Sequence, residues 1–247
     1  MTPWHFTLAC ILGMVHATAV LAAGPALNIV TELSQPSVML QGGALIGHET
    51  DKVQSLMQQA GLTHVITPLP WARAFALVRT QGATCVFPTT RTPQREAMFK
   101  WIGPLRRTQW VAYGLAGPQP VARTIDQARS LRIGTYNGDV RAEVLGAEGY
   151  TVDAAGEDSM NAQKLLRGRV DLWVTGQRYA DLYLKRRGLT KKIVALFTFH
   201  QVEQYLACNT GLDDTLVRRM NDVAARMRQS GELDAIERKY EHWSAPD

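Results

Sequence analysis

Short apolar runs alternate with helix-periodic segments, first over residues 27–87 and again over 124–187. That alternation limits the fold more than any other feature of the chain. Leu27-Asn28-Ile29-Val30-Thr31 reads as a buried strand. From Glu49 to Ala60 the apolar residues Val53, Leu56 and Met57 recur at helical spacing, and Gly61 ends the helix. His64–Leu69 is a second strand, and Trp71–Thr80 a helix with Ala74, Phe75, Leu77 and Val78 inward. Cys85–Phe87 is a third strand. Strand, helix, strand, helix, strand predicts a parallel sheet with right-handed crossovers. The second unit has strands at Arg132–Thr135, Thr151–Asp153 and Val170–Val174, with helices ending near Glu148, Arg167 and Arg187. A strand at Gln204–Asn209 and a long helix at Asp213–Gln229 exceed what that unit needs. We read that helix as packing back on the first unit. Two α/β lobes then flank a cleft, where the carboxyl ends of strands gather ligand groups.

The first residues read as an export signal. An apolar segment runs from Phe6 to about Leu21, and Val20-Leu21-Ala22-Ala23 supplies small residues for cleavage, so residues 1–23 are expected to be removed. The segment is short for a bilayer span and is interrupted by Gly13, His16 and Thr18. Cys10 lies too near Met1 for a lipoprotein signal. The remaining chain is long enough for two lobes with real cores. A formal charge of +5 is mild, and the densest cluster, Lys185-Arg186-Arg187 with Lys191-Lys192, surrounds an expected helix end at Gly188, where cations suit the helix dipole. No nucleic-acid motif is present. The six histidines show no metal-binding spacing, and no nucleophile motif stands out. Cys85 and Cys208 each sit in a strand-like run, and an exported chain tolerates a disulfide.

One segment has the chemistry of an anion receptor. After the strand at Cys85–Phe87 come Pro88-Thr89-Thr90-Arg91-Thr92-Pro93-Gln94-Arg95. Pro93 suits the first turn of a short helix. Hydroxyls, backbone N–H groups and the Arg95 guanidinium lie within one turn of each other, as a carboxylate requires. The same string also fits a charged, solvated helix start.

The ordered set of segments resembles the family 3 extracellular solute-binding proteins, the receptors of ABC importers for polar amino acids. It runs through Leu27–Glu32, Leu69–Ala74, Thr90–Arg95, Leu131–Thr135, Leu165–Leu172 and Ser230–Leu233. The resemblance implies a two-lobed periplasmic binding protein fold of type II, its two parallel-type sheets joined by two hinge strands. Lobe one would be 24–112 plus 204–247 and lobe two 113–203. It implies a periplasmic, monomeric protein that needs no cofactor and delivers a small carboxylate-bearing solute to a permease at the inner membrane. Arg95 would grip the carboxylate, a role suited to a bidentate guanidinium. Thr90 would add a hydroxyl and N–H. Trp71 would form a pocket wall or simply pack a core. Glu32 would face the cleft edge or water. Asn137, Gly138, Asp139 and Val140 would offer backbone N–H groups from a helix start. Arg141 would add charge or face solvent, and Arg73 would be site or helix surface. The resemblance also places the strands of Cys85 and Cys208 side by side, so a disulfide between them is expected.

Two positions depart from the family pattern. Gly176 stands where such receptors place an aspartate for the ligand's ammonium, so the ammonium half of the site is expected to be missing unless Glu32 or Asp139 replaces it. Pro88 offers a carbonyl but no N–H. A dehydratase-like enzyme on the same fold would need a general acid or base, with Glu32, Asp139, Glu143 and His200 as candidates. A soluble partner of a membrane sensor is the third reading.

Overall fold

The structure, a computed structural model, describes residues 26–241 and 243, so the signal-peptide reading of residues 1–23 lies outside it. Strand β1 (Leu27–Thr31) sends Ile29 into one core and Val30 into another, the period-two alternation of a sheet covered on both faces. A hairpin follows, β2 (Met39–Gln41) paired antiparallel with β3 (Ala44–Ile46). Then follow α1 (His48–Gln59), β4 (His64–Pro68), α2 (Trp71–Thr80) and β5 (Thr84–Thr90). A 3₁₀ turn at Pro93–Met98, with Pro93 opening it, leads into β6 (Lys100–Leu115).

The second half contains β7 (Arg132–Tyr136), α3 (Val140–Ala147), β8 (Thr151–Ala155), α4 (Met160–Leu166), β9 (Leu172–Gly176) and α5 (Gln177–Arg186). The chain returns along β10 (Ile193–Cys208) and ends in α6 (Asp214–Gln229) and α7 (Glu232–Lys239).

The strand order is β4-β1-β5-β10-β6-β9-β7-β8. Two parallel sets, β4-β1-β5 and β9-β7-β8, are joined through β10 and β6, which pair antiparallel along most of their length. The sheet hydrogen bonding is therefore continuous from one half to the other. β10 begins eleven residues before the strand expected at Gln204. β5 runs through Thr90, so Pro88 and Thr90 lie on a strand and not in a turn.

The cores divide by half. α1, α6 and α7 pack Val53, Leu56, Met220, Met227 and Ile236 on one face of β1 and β5. On the other face Trp71, Ala74 and Val78 of α2 meet Val30, Val86 and Tyr205. Trp173 with Ala162 and Leu165, and Ile133 with Leu145 and Val174, fill the two faces of the second half. Cys85 and Cys208 oppose each other across β5 and β10, with their sulfurs 1.93 Å apart in a disulfide.

Candidate functional site

The strand C-termini of both halves converge on a cavity of about 660 Å³. Glu32 enters it just beyond β1, Trp71 from the start of α2, and Pro88 and Thr90 from the end of β5. Asn137, Asp139 and Val140 line it from the β7–α3 junction, and Gly176 from the end of β9. Arg95 reaches it from the 3₁₀ turn. Gly138 stands behind this wall and contributes its carbonyl, which accepts from Trp71 Nε1 at 2.8 Å and Arg95 Nη2 at 3.3 Å. Arg73 is an exposed residue of α2 outside the lining, and His200 packs on Trp110 along β10.

The start of α3 is less open than expected. Asp139 caps it by accepting from the N–H of Arg141. The N–H groups of Asn137 and Asp139 are spent on Ala155 and Tyr136 carbonyls. Two of the four expected N–H donors are thus taken, one by the end of β8 and one by the turn itself. Trp71 is both wall and core, since it lines the cavity and packs with Phe75 at 5.8 Å.

Arg95 is 1% exposed, with Phe75 4.5 Å beneath its guanidinium. Its Nε and Nη2 donate to the two carboxylate oxygens of Glu143, on α3, at 2.9 and 2.6 Å. Its remaining nitrogen, Nη1, is buried and has no partner.

The acidic side of the cavity is richer than Gly176 suggests. Asp158, between β8 and α4, lines the cavity and accepts from Trp173 Nε1 at 2.7 Å and from the Thr175 hydroxyl. It thus presents a carboxylate beside the strand end where Gly176 presents none. Glu32 accepts from the Tyr136 hydroxyl at 2.9 Å. Burial pushes its carboxyl up to about 7, against the pull of that hydrogen bond and with a further push from Asp139 and Asp158. Burial, then the charges of Glu32 and Asp139, hold the Tyr136 phenol well above its usual range, so it remains a donor. Asp139 differs in being paired with Arg141 at 2.7 Å. Burial still raises its carboxyl, Arg141 opposes the rise, and Asp158 adds to it. Among the described residues neither Glu32 nor Asp158 has a cationic partner within ion-pair distance.

A buried charge network borders the cavity. Arg106 on β6 and Arg178 on α5 both line it and both reach Glu237 of α7. Lys52 of α1, 1% exposed, donates to Glu237 Oε2 at 2.6 Å and to Glu49 Oε1 at 3.0 Å, and His48 Nδ1 lies 3.0 Å from the same Glu49 oxygen. His48, Glu49 and Glu237 bring ligand atoms within 4.8 Å of one another. The Lys52 ammonium already sits on both carboxylates, so this donor set does not fit a metal ion.

Asp158, Tyr136, Arg106 and Arg178 line the cavity without having been singled out from sequence, and Glu143, considered there only as an enzyme acid, pairs with Arg95. The strand-end rule that locates Asn137 applies equally to Asp158. Arg106 and Glu143 carry no comparable local signal.

A two-lobed α/β fold with a charged cavity between strand ends defines a cleft-type binding protein. A family model for bacterial extracellular solute-binding proteins, family 3, matches residues 27–242, and the chain belongs to that family. It is 25% identical over 217 residues to the L-cystine-binding protein TcyJ of Escherichia coli K12, spanning 85% of this chain and 80% of that protein. An ancestral arginine-binding protein bound to arginine shares the fold at a TM-score of 0.75 and 19% identity, over 89% of this chain and all of that one. A histidine kinase sensor domain similar to periplasmic binding proteins matches at 0.80 and 15%, over 91% and 99%.

Proposed function

We propose that this chain is a periplasmic, monomeric receptor that captures an amino-acid-like solute and passes it to an ABC-type permease. The solute carries a carboxylate and an ammonium or guanidinium group. The observation that carries this reading is one cavity holding the Arg95 guanidinium together with two carboxylates, Glu32 and Asp158, that lack a cationic partner. A partly buried carboxylate held only by neutral donors is well placed to take a cation. Residues 24–112 with 204–247, and 113–203, act as the two jaws, with β6 and β10 between them. The binding names of the cystine and arginine relatives support the amino-acid class.

Thermal unfolding with a panel of L-cystine, L-arginine, L-glutamate, polyamines and sugars tests it. A true ligand at a hundredfold excess over its Kd stabilises by about 2.7 kcal/mol. Arg95→Ala is expected to remove the shift given by carboxylate solutes, and Asp158→Asn that given by cationic ones. A panel without any shift rejects the reading.

Binding is also expected to release a proton. A solute cation beside Glu32 lowers its pKa from about 7. Release should approach one proton near pH 6 and vanish above roughly pH 8. Titration calorimetry in buffers of different ionisation enthalpy reads this directly, and Glu32→Gln should abolish it. For the unliganded protein the sign is opposite in effect. A raised carboxyl stabilises the fold fully below its ordinary range and loses that contribution as pH climbs through about 7.

A second reading, a soluble solute sensor working with a membrane kinase, draws on the likeness to the kinase sensor domain. Co-purification with a permease rather than a kinase separates the two.

A further inference from the structure

Arg95 already holds a carboxylate, and the chain itself supplies it. Glu143 uses both oxygens on the Nε and Nη2 edge of the guanidinium, the side-on geometry that makes arginine selective for carboxylates. The two groups come from opposite sides of the cleft, Arg95 from the turn after β5 and Glu143 from the first turn of α3. Arg95 Nη2 and Trp71 Nε1 both donate to Gly138 at the head of α3, so the whole helix start is drawn toward this corner. One guanidinium face rests on Phe75. Only Nη1 remains without a partner, and a single nitrogen cannot give a two-point grip.

We propose that Glu143 is a specificity-determining residue, a tethered carboxylate that fills the anion place of Arg95 and that a solute carboxylate must displace. The proposal rests on the reading of Arg95 as the anion grip. Its selective consequence follows from competition. Glu143 is held near Arg95 by its own helix and so acts at high effective concentration. A lone carboxylate such as acetate has no second anchor and loses the exchange. A solute whose cationic group is held at Glu32 and Asp158 is tethered in its turn, and can win. Displacing Glu143 also removes one of the ties that draw α3 to this corner, leaving the Gly138 carbonyl bonds of Trp71 and Arg95 as the others. Glu143 is 43% exposed on its side chain while Arg95 is 1% exposed, so the acid can swing to water and the guanidinium cannot.

The test needs no knowledge of the natural solute. Phenylglyoxal modification of Arg95, followed by peptide mass spectrometry, is compared in the wild type, Glu143→Gln and the control Glu148→Gln, at the cap residue that ends α3. Arg95 is expected to react roughly tenfold faster in Glu143→Gln, as when a hydrogen-bonded charge pair loses one partner, and unchanged in the control. Acetate should then protect Arg95 in Glu143→Gln but not in the wild type. Equal rates in wild type and Glu143→Gln overturn the proposal. Faster reaction without acetate protection overturns it too, because Glu143 would then clamp the halves without standing in for a solute. Glu143→Asp, which keeps the charge on a shorter arm, should behave like the Gln variant and covers the case in which Gln disturbs folding. A solute panel without hits would reject the receptor reading and leave these rates untouched.

Discussion

Lys52→Met is expected to lower the stability of the folded chain by about 3–5 kcal/mol, the usual effect of removing one member of a buried ion pair. The change leaves Glu49, 0% exposed, with only His48 beside it, and takes one of three cations from Glu237. Burial alone would raise the Glu49 carboxyl, but Lys52 and then His48 hold it far below the ordinary carboxylate range. A depressed carboxyl contributes stability above its ordinary range and loses it as pH falls. The difference between wild type and variant is therefore full at pH 7 and shrinks below about pH 4.5. The melting temperature should fall by roughly 10 °C at neutral pH for a chain of this size. An unchanged melting temperature would show that Glu49 is solvated or neutral in the wild type. His48 gives limited rescue near neutrality, because burial lowers its own pKa against the pull of Glu49.

The double change Cys85→Ala, Cys208→Ala should be of comparable size. The bond closes a separation of 123 residues, for which the chain-entropy treatment gives about 4–5 kcal/mol. Denaturant titration of wild type, reduced wild type and the double variant should place both of the last two at a lower midpoint than wild type, the double variant lowest. Coincidence of all three, or two free thiols by mass spectrometry in exported protein, rejects the bond as a source of stability. Both cysteines are fully buried in the core beneath α1 and α6, so alanine also leaves a small void that adds to the loss.

The sequence carried the elements that are buried and periodic. α2 spans Trp71–Thr80 as its apolar spacing indicates, and β1 spans Leu27–Thr31. It carried less where burial is partial. The first part of β10, Ile193 to Glu203, is mostly half-exposed, so its alternation is not apolar against polar, and Ala-Leu-Phe-Thr-Phe-His reads as no single pattern. The β2–β3 hairpin has strands of three residues each, too short to show a period. At the site, residues on strand ends were legible because topology fixes them. Glu143 was weighed only as a possible enzyme acid, and its pairing was hidden because an acid in a first helical turn already has a sufficient local reason, the helix dipole. Its contact with Arg95 depends on how two distant segments face each other, 48 residues apart. Asp158 was hidden in the same way, as a polar residue ahead of a helix. Gly176 showed a missing acid at one position and gave no sign that Asp158, beyond β8, would bond to Thr175 at the same strand end.

The long antiparallel ribbon of β6 and β10 is the joint between the two halves. Its register slips at three places, between Ala195 and Phe197, Thr198 and His200, and Gln204 and Leu206. Each slip is a spot where a paired ribbon bends and twists without parting. The two halves of the sheet are therefore connected by a leaf spring more than by a pin. A bend taken up at these slips would leave the ladder bonds made and expose no backbone to water.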